Sequence, residues 1–143
     1  MKILVINGVN MNMLGKRQPD IYGNQTLDDM NTKIGEQCPT AALDFFQSNF
    51  EGEIVEMLHH AMDEYDGVVL NAGAHTHYSH AIADAIASIP TPVIEVHISN
   101  VFARDAHRHT SVLAPFCQGV ISGFGMQSYV LAIQALQSHN ENI

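Results

Sequence analysis

Glu95, His97 and Ser99 stand at alternate positions, separated by the apolar Val96 and Ile98. In extended chain alternate residues face one way, so a carboxylate, an imidazole and a hydroxyl share a side. A carboxylate buried beside an imidazole costs several kcal/mol unless it is paired, and His97 is the nearest partner for Glu95. Such a pair holds the ring in one orientation, which is what a proton donor or acceptor needs. Arg104 and Arg108 follow, one helical turn apart. An oriented imidazole with two guanidinium groups reads as a site for an oxygen-rich anion.

A second reactive-looking stretch lies near the N-terminus. Asn7 to Gly15 is rich in glycine and asparagine, and Lys16-Arg17-Gln18-Pro19-Asp20-Ile21-Tyr22-Gly23 carries an arginine and a tyrosine across a proline. Gly15 and Gly23 at the two ends suit hinges of a moving loop. The bland alternative is an ordinary surface turn, since Arg-x-Pro-x-x-Tyr-Gly is common turn chemistry. The run His75-Thr76-His77-Tyr78-Ser79-His80 invites a metal, but no cysteine accompanies it and the spacing does not converge ligands, so no metal is expected. His59, His60 and His139 read as solvated. Gly8 to Gly15 lacks the lysine and glycine pattern of a P-loop, and Gly123-Phe124-Gly125 lacks the third glycine of a dinucleotide fingerprint. A phosphoacceptor receiver domain needs acidic groups where this chain has Asn7 and Asn71.

These residues need a frame that brings them together. Lys2–Ile6, Leu43–Gln47, Gly67–Leu70, Pro92–Val96 and Gly119–Ser122 read as short strands, mostly with buried-strand character. Between them lie helical patterns: one capped by Thr26 and ending near Gln37 before Cys38-Pro39, and one opened by a Ser48–Glu51 capping box with a stripe of Ile54, Val55, Leu58 and Met62. A third ends near Ser88 and a fourth runs through Val130, Leu131, Ile133 and Leu136. Strand and helix in alternation predict an α/β three-layer sandwich on a five-stranded parallel sheet, one domain over residues 1–143 with a frayed polar tail from residue 139. In such sheets ligands bind beyond the carboxyl ends of the strands. Asn7, Asn10, Asn71, His77, His97 and Ser99 all fall after strand ends.

The composition narrows the partners. Against 15 Asp+Glu the chain has 6 Lys+Arg, a formal charge of −9, which disfavours nucleic acid and anionic membrane surfaces. Its three arginines are Arg17, Arg104 and Arg108, all placed in the two stretches above. Cys38 and Cys117 show neither metal nor redox spacing and suit a reducing, cytoplasmic location. The apolar start at Met1 is too short for a signal peptide, and no run reaches spanning length.

Four motifs, Asn7 to Gly23, Gln47 to Glu53, Asn71 to His77 and Glu95 to Asn100, occur in order along nearly the whole chain. Together they resemble the type II 3-dehydroquinate dehydratases. The resemblance implies a flavodoxin-like fold and reversible loss of water from 3-dehydroquinate to 3-dehydroshikimate through an enolate, without metal or cofactor, in shikimate (aromatic amino acid) biosynthesis or quinate breakdown. It further implies Tyr22 as the base at C2 with Arg17 beside it, Asn10 stabilising the enolate, and His97 as the acid, oriented by Glu95. Ionising a tyrosine at pH 7 costs about 4 kcal/mol, so the arginine is a physical requirement of that assignment. Ile98 and Ser99 match the carboxylate-binding pair, and Asn71, His77 and Arg108 the residues that hold ring hydroxyls. Arg104 matches a loop-closing residue, and Asp84 one contributed by a neighbouring subunit of a homo-dodecamer, a tetramer of trimers. Gln18, Phe50 and His75 depart from the usual glutamate, histidine and aromatic residue. The alternative reading is a non-catalytic flavodoxin-like module binding a small anion or flavin.

Overall fold

The computed structural model describes residues 1–16, 18–22 and 24–142, without the side chains of residues 21, 22 and 140–142. Strands β1 (Lys2–Asn7), β2 (Ala42–Gln47), β3 (Gly67–Asn71), β4 (Val93–His97) and β5 (Gly119–Ser122) form one sheet in the order β2-β1-β3-β4-β5. Every adjacent pair is parallel. The chain first steps outward from β1 to β2, then returns across β1 to build β3, β4 and β5 on the other side. This reversal puts a crevice between the carboxyl ends of β1 and β3.

Strand parity builds the two cores. Ile3 and Val5 of β1, Val69 of β3, and Ile94 and Val96 of β4 pack beneath α2 (Leu27–Gln37) and α5 (Gln127–Asn142). Leu4, Ile6, Val68, Leu70 and Val93 pack beneath α3 (Glu51–Glu64) and α4 (His80–Ser88). Both faces are covered, which is why these strands read as near-continuous apolar runs. Glu95 and His97 share the parity of Val93 and are buried with it, at 1% and 6% exposure. They are charged or polar groups set into the sheet itself, so partners are obligatory.

Local signals explain most of the helix starts. Thr26 and Asp29 close a reciprocal capping box at α2, with the Thr26 hydroxyl accepting from the Asp29 N–H at 3.1 Å and the Asp29 carboxylate accepting from the Thr26 N–H at 3.2 Å. Ser79 caps α4 by accepting from the Ile82 N–H at 3.1 Å, and it donates to Glu51 at 2.5 Å. The capping box expected between Ser48 and Glu51 is not formed. Phe50 is the N-cap of α3 and makes no side-chain bond, while Ser48 accepts from the Phe50 N–H at 3.0 Å and donates to Glu53. Glu51 is held by the start of α4 instead of by its own helix.

The apolar stripe of α3 also differs in detail. Ile54, Leu58 and Ala61 are buried, and Met62 is 44% exposed, because the i, i+4, i+7 set faces the sheet and position i+8 has rotated past it. Helix α5 continues past Ser138 to Asn142. His139 is a half-buried member of that helix, whereas His59 and His60 are exposed on α3. Short α1 (Pro19–Tyr22) lies in the loop after β1. No described helix is long and apolar enough to cross a membrane.

Candidate active site

The carboxyl ends of β1, β3 and β4 meet around a cavity of about 140 Å³. Asn10, Met11 and Leu14 reach it from the loop after β1, Asn71, Gly73 and His77 from the end of β3, and His97, Ile98, Ser99, Arg104 and Arg108 from the end of β4. Of the residues singled out from sequence, these eight, Asn10, Asn71, His77, His97, Ile98, Ser99, Arg104 and Arg108, are brought to one place.

Its acid–base element sits at the end of β4. His97 Nε2 lies 2.7 Å from Glu95 Oε2, the pairing expected from their alternation. The other carboxylate oxygen, Oε1, accepts from the Ser111 hydroxyl at 2.6 Å. Ser111 had no place in the sequence argument. The only hint was its position in the polar run His107 to Ser111, which gives no indication that the loop folds back over β4. Cys117 lies behind the same carboxylate; burial, with the Glu95 charge adding to it, pushes its thiol up to about 12. That makes it an inert neighbour rather than a nucleophile. Both cysteines are free thiols.

His77 stands across from His97, the two rings stacked with centroids 6.4 Å apart. Its Nδ1 is 2.8 Å from the Thr110 carbonyl oxygen. A carbonyl only accepts, so Nδ1 carries the proton and Nε2 is left with a lone pair in the neutral ring. Burial holds the His77 pKa below the ordinary histidine value, the Thr110 bond opposes this, and the nearby His97, Arg108 and His107 charges add to the lowering. A neutral His77 can accept a hydrogen bond from a ligand hydroxyl.

Below the cavity a buried polar chain joins three elements. Tyr129 of α5 donates to Asn7 Oδ1 at 2.6 Å and accepts from Asn71 Nδ2 at 2.8 Å, and Asn71 Oδ1 accepts from the Gly73 N–H at 3.1 Å. Asn71 is therefore a structural member of the floor as well as a wall residue. Above it, the loops after β1 and β3 touch through glycines. A Cβ on Gly8 would lie 2.8 Å from the Ala72 carbonyl oxygen, and one on Gly73 would lie 2.7 Å from the Val9 oxygen at a φ of +62. Asn10 adopts a φ of 68, a left-handed conformation that asparagine tolerates. Its N–H is held by Asn49 Oδ1 at 2.9 Å, and Gln47 donates to that same oxygen at 3.1 Å.

The cationic side is built from Arg104 and Arg108. Arg104 donates to Ser99 Oγ at 3.3 Å, and Ser99 is anchored through its carbonyl, which accepts from Ser122 at 3.0 Å. In a chain of formal charge −9, two of three arginines on one small cavity favour an anionic ligand. Asp84 is not at this cavity; it lies on the exposed face of α4. Arg17 and Gly23 lie outside the described residues, as does the side chain of Tyr22, whose backbone closes α1. Gln18 is exposed with a φ of 44, Phe50 is 69% exposed, and half-buried His75 packs edge-on against Tyr78 at 5.6 Å. Among the described residues no group of three or more His, Cys, Asp or Glu is arranged to hold a metal ion.

The description "Dehydroquinase class II" belongs to the family model that matches residues 1–137. The chain belongs to the type II dehydroquinase family. It is 56% identical over 137 residues to the 3-dehydroquinate dehydratase of Bacillus pumilus, covering 94% of this chain and 93% of that one. It is 47% identical over 137 residues to the 3-dehydroquinate dehydratase of Bacillus subtilis, covering 94% and 93%. The crystal structure of the type II dehydroquinase from Butyrivibrio crossotus superposes with a TM-score of 0.93 at 47% identity, covering 96% of this chain and 97% of that one. The family's α/β architecture is thus the flavodoxin-like parallel sandwich described above.

Proposed function

We propose that this protein is a 3-dehydroquinate dehydratase, a hydro-lyase that removes water reversibly from 3-dehydroquinate to give 3-dehydroshikimate without metal or cofactor. The observation that carries the reading is the cavity itself: a buried Glu95–His97 pair, a His77 held on the Thr110 carbonyl and two arginines converge at one sheet edge. Family membership supplies the reaction class, and these groups match what a polyhydroxylated ring carboxylate requires.

In this mechanism Tyr22, ionised beside Arg17, takes the proton at C2 of the substrate. The C–H electron pair moves into the ring to form an enolate, and the charge on the carbonyl oxygen is stabilised from the Asn10 side, through an ordered water. Collapse of the enolate forms the C1–C2 double bond and expels the C1 hydroxyl, which takes a proton from His97 and leaves as water. Exchange with solvent returns Tyr22 and His97 to their starting states. Ile98 and Ser99 bind the substrate carboxylate, and Asn71, His77 and Arg108 hold ring hydroxyls. Arg104, already on Ser99, closes the loop over the bound ring.

Asp84 faces outward on α4, where it serves a neighbouring subunit's site in a dodecamer of four trimers. The enzyme acts in the cytoplasm, in aromatic amino acid biosynthesis or in quinate breakdown. The test is the conjugated enone absorbance produced from 3-dehydroquinate by the purified, chelator-treated protein. Bound flavin with no such absorbance would support the non-catalytic binding module instead. A fully active monomer would remove the shared role of Asp84.

A further inference from the structure

We propose that Ser111 is a positioning residue for His97, acting through Glu95 and fixing the direction of every hydrogen bond in the relay. The argument rests on counting donors and acceptors. The Ser111 hydroxyl accepts from the Leu113 N–H at 3.1 Å and from the Ala114 N–H at 3.0 Å. A serine hydroxyl has two lone pairs and one proton, so with both lone pairs occupied the proton has one direction left. It points at Glu95 Oε1, 2.6 Å away.

The consequence passes along the carboxylate. Oε1 is committed as an acceptor, and an ionised carboxylate accepts only. The 2.7 Å contact between Oε2 and His97 Nε2 is then made by a proton on Nε2. The remaining nitrogen, Nδ1, is then the one left for proton transfer at the cavity that His97 lines. Glu95 is 1% exposed, so its charge depends on the partners packed around it. Without that hydroxyl the carboxylate is free to turn, and Nε2 loses its fixed acceptor. Ser111 does this from a loop that also carries the His77 anchor, the Thr110 carbonyl. Adjacent residues thus hold both stacked imidazoles.

The inference rests on the dehydratase reading for its rate effect but not for its structural effect, and the two are read separately. In the ¹H–¹⁵N spectrum of wild-type protein, the His97 Nε2–H proton is protected from solvent exchange. Ser111→Ala loses that protection, and kcat falls by up to about a hundred-fold, as misplacement of a reacting group does, while KM stays within about two-fold. Ser111→Thr keeps the hydroxyl and restores both. If Ser111→Ala does not fold, Ser111→Cys gives the same two readouts, because a thiol is a weak donor. A protected Nε2–H and unchanged kcat in Ser111→Ala would overturn the proposal. So would equal loss in a folded Ser111→Thr, because the hydroxyl would then not be what matters. If protection is lost as expected but wild-type protein does not turn over 3-dehydroquinate, the relay stands and the dehydratase reading fails.

Discussion

The hydroxyl of Tyr129, on the last helix, donates to Asn7 Oδ1, on the first strand, at 2.6 Å. Tyr129 is fully buried, and burial pushes its phenol pKa up, opposed by the Asn71 hydrogen bond. It acts only as a neutral hydrogen-bonding group. Tyr129→Phe keeps the ring and deletes the hydroxyl, leaving Asn7 Oδ1 and one Asn71 amide proton buried without that partner. Each orphaned group costs about 1–3 kcal/mol. We expect a loss of about 2–4 kcal/mol in urea unfolding with an unchanged m value. A loss under about 0.5 kcal/mol would show that these bonds do not hold α5 to the cavity floor.

Gly73 offers a test of how closely the two loops of the crevice must approach. Its φ of +62 disfavours any side chain, and a Cβ there would meet the Val9 carbonyl oxygen at 2.7 Å. A backbone oxygen cannot swing aside as a side chain can, so the loops after β1 and β3 must separate. Gly73→Ala should raise KM at least ten-fold and lower stability by about 1–3 kcal/mol. Near-normal KM in a folded variant would mean that the cavity tolerates the separation.

These two relationships show where sequence reasoning reached and where it stopped. Strands β1, β3 and β4 were legible because parallel strands covered on both faces are apolar along most of their length, and their ends were legible because Asn7, Asn71 and His97 break that rule. The Glu95–His97 pair was legible from alternation alone. Tyr129 and Ser111 were not, since their partners lie 122 and 16 residues away in the chain and no local pattern encodes such closure. The expected capping box at Ser48 failed for a related reason. Local spacing allowed it, but a tertiary partner, Ser79, engages Glu51 first. Arg17 and the Tyr22 side chain lie outside the described residues, so their roles rest on resemblance.

His77 makes stability depend on pH in a defined sense. Its pKa in the folded protein is held below the ordinary histidine value of 6.5, first by burial. As pH falls through 6.5 the unfolded chain takes up a proton that the folded chain resists, so stability is lost on acidification until the lowered folded value is passed. His77→Gln removes that contribution while retaining an amide donor for Thr110. Urea unfolding at pH 7.5 and at pH 5.5 should therefore show a smaller acid loss for the variant than for wild type. Equal losses would place His77 in an environment no different from water.

The sharpest prediction concerns the division of labour between Tyr22 and His97. If Tyr22 removes the C2 proton and His97 protonates the departing hydroxyl, the two steps are separable, because the enolate exists between them. Tyr22→Phe should abolish both turnover and exchange of the C2 proton with solvent. His97→Ala should keep the exchange and make almost no product, since a general acid of this kind is worth about 10²–10⁴-fold in rate. Arg17→Lys should behave like Tyr22→Phe in turnover, because a flexible ammonium does not replace a planar guanidinium beside a phenolate. The measurement is deuterium incorporation at C2 of 3-dehydroquinate, followed by NMR for the three variants. Exchange at the wild-type rate in Tyr22→Phe would remove the tyrosine from the role of base. Loss of exchange together with turnover in folded His97→Ala would mean that proton removal and hydroxyl departure are not separate steps, or that His97 serves the first of them.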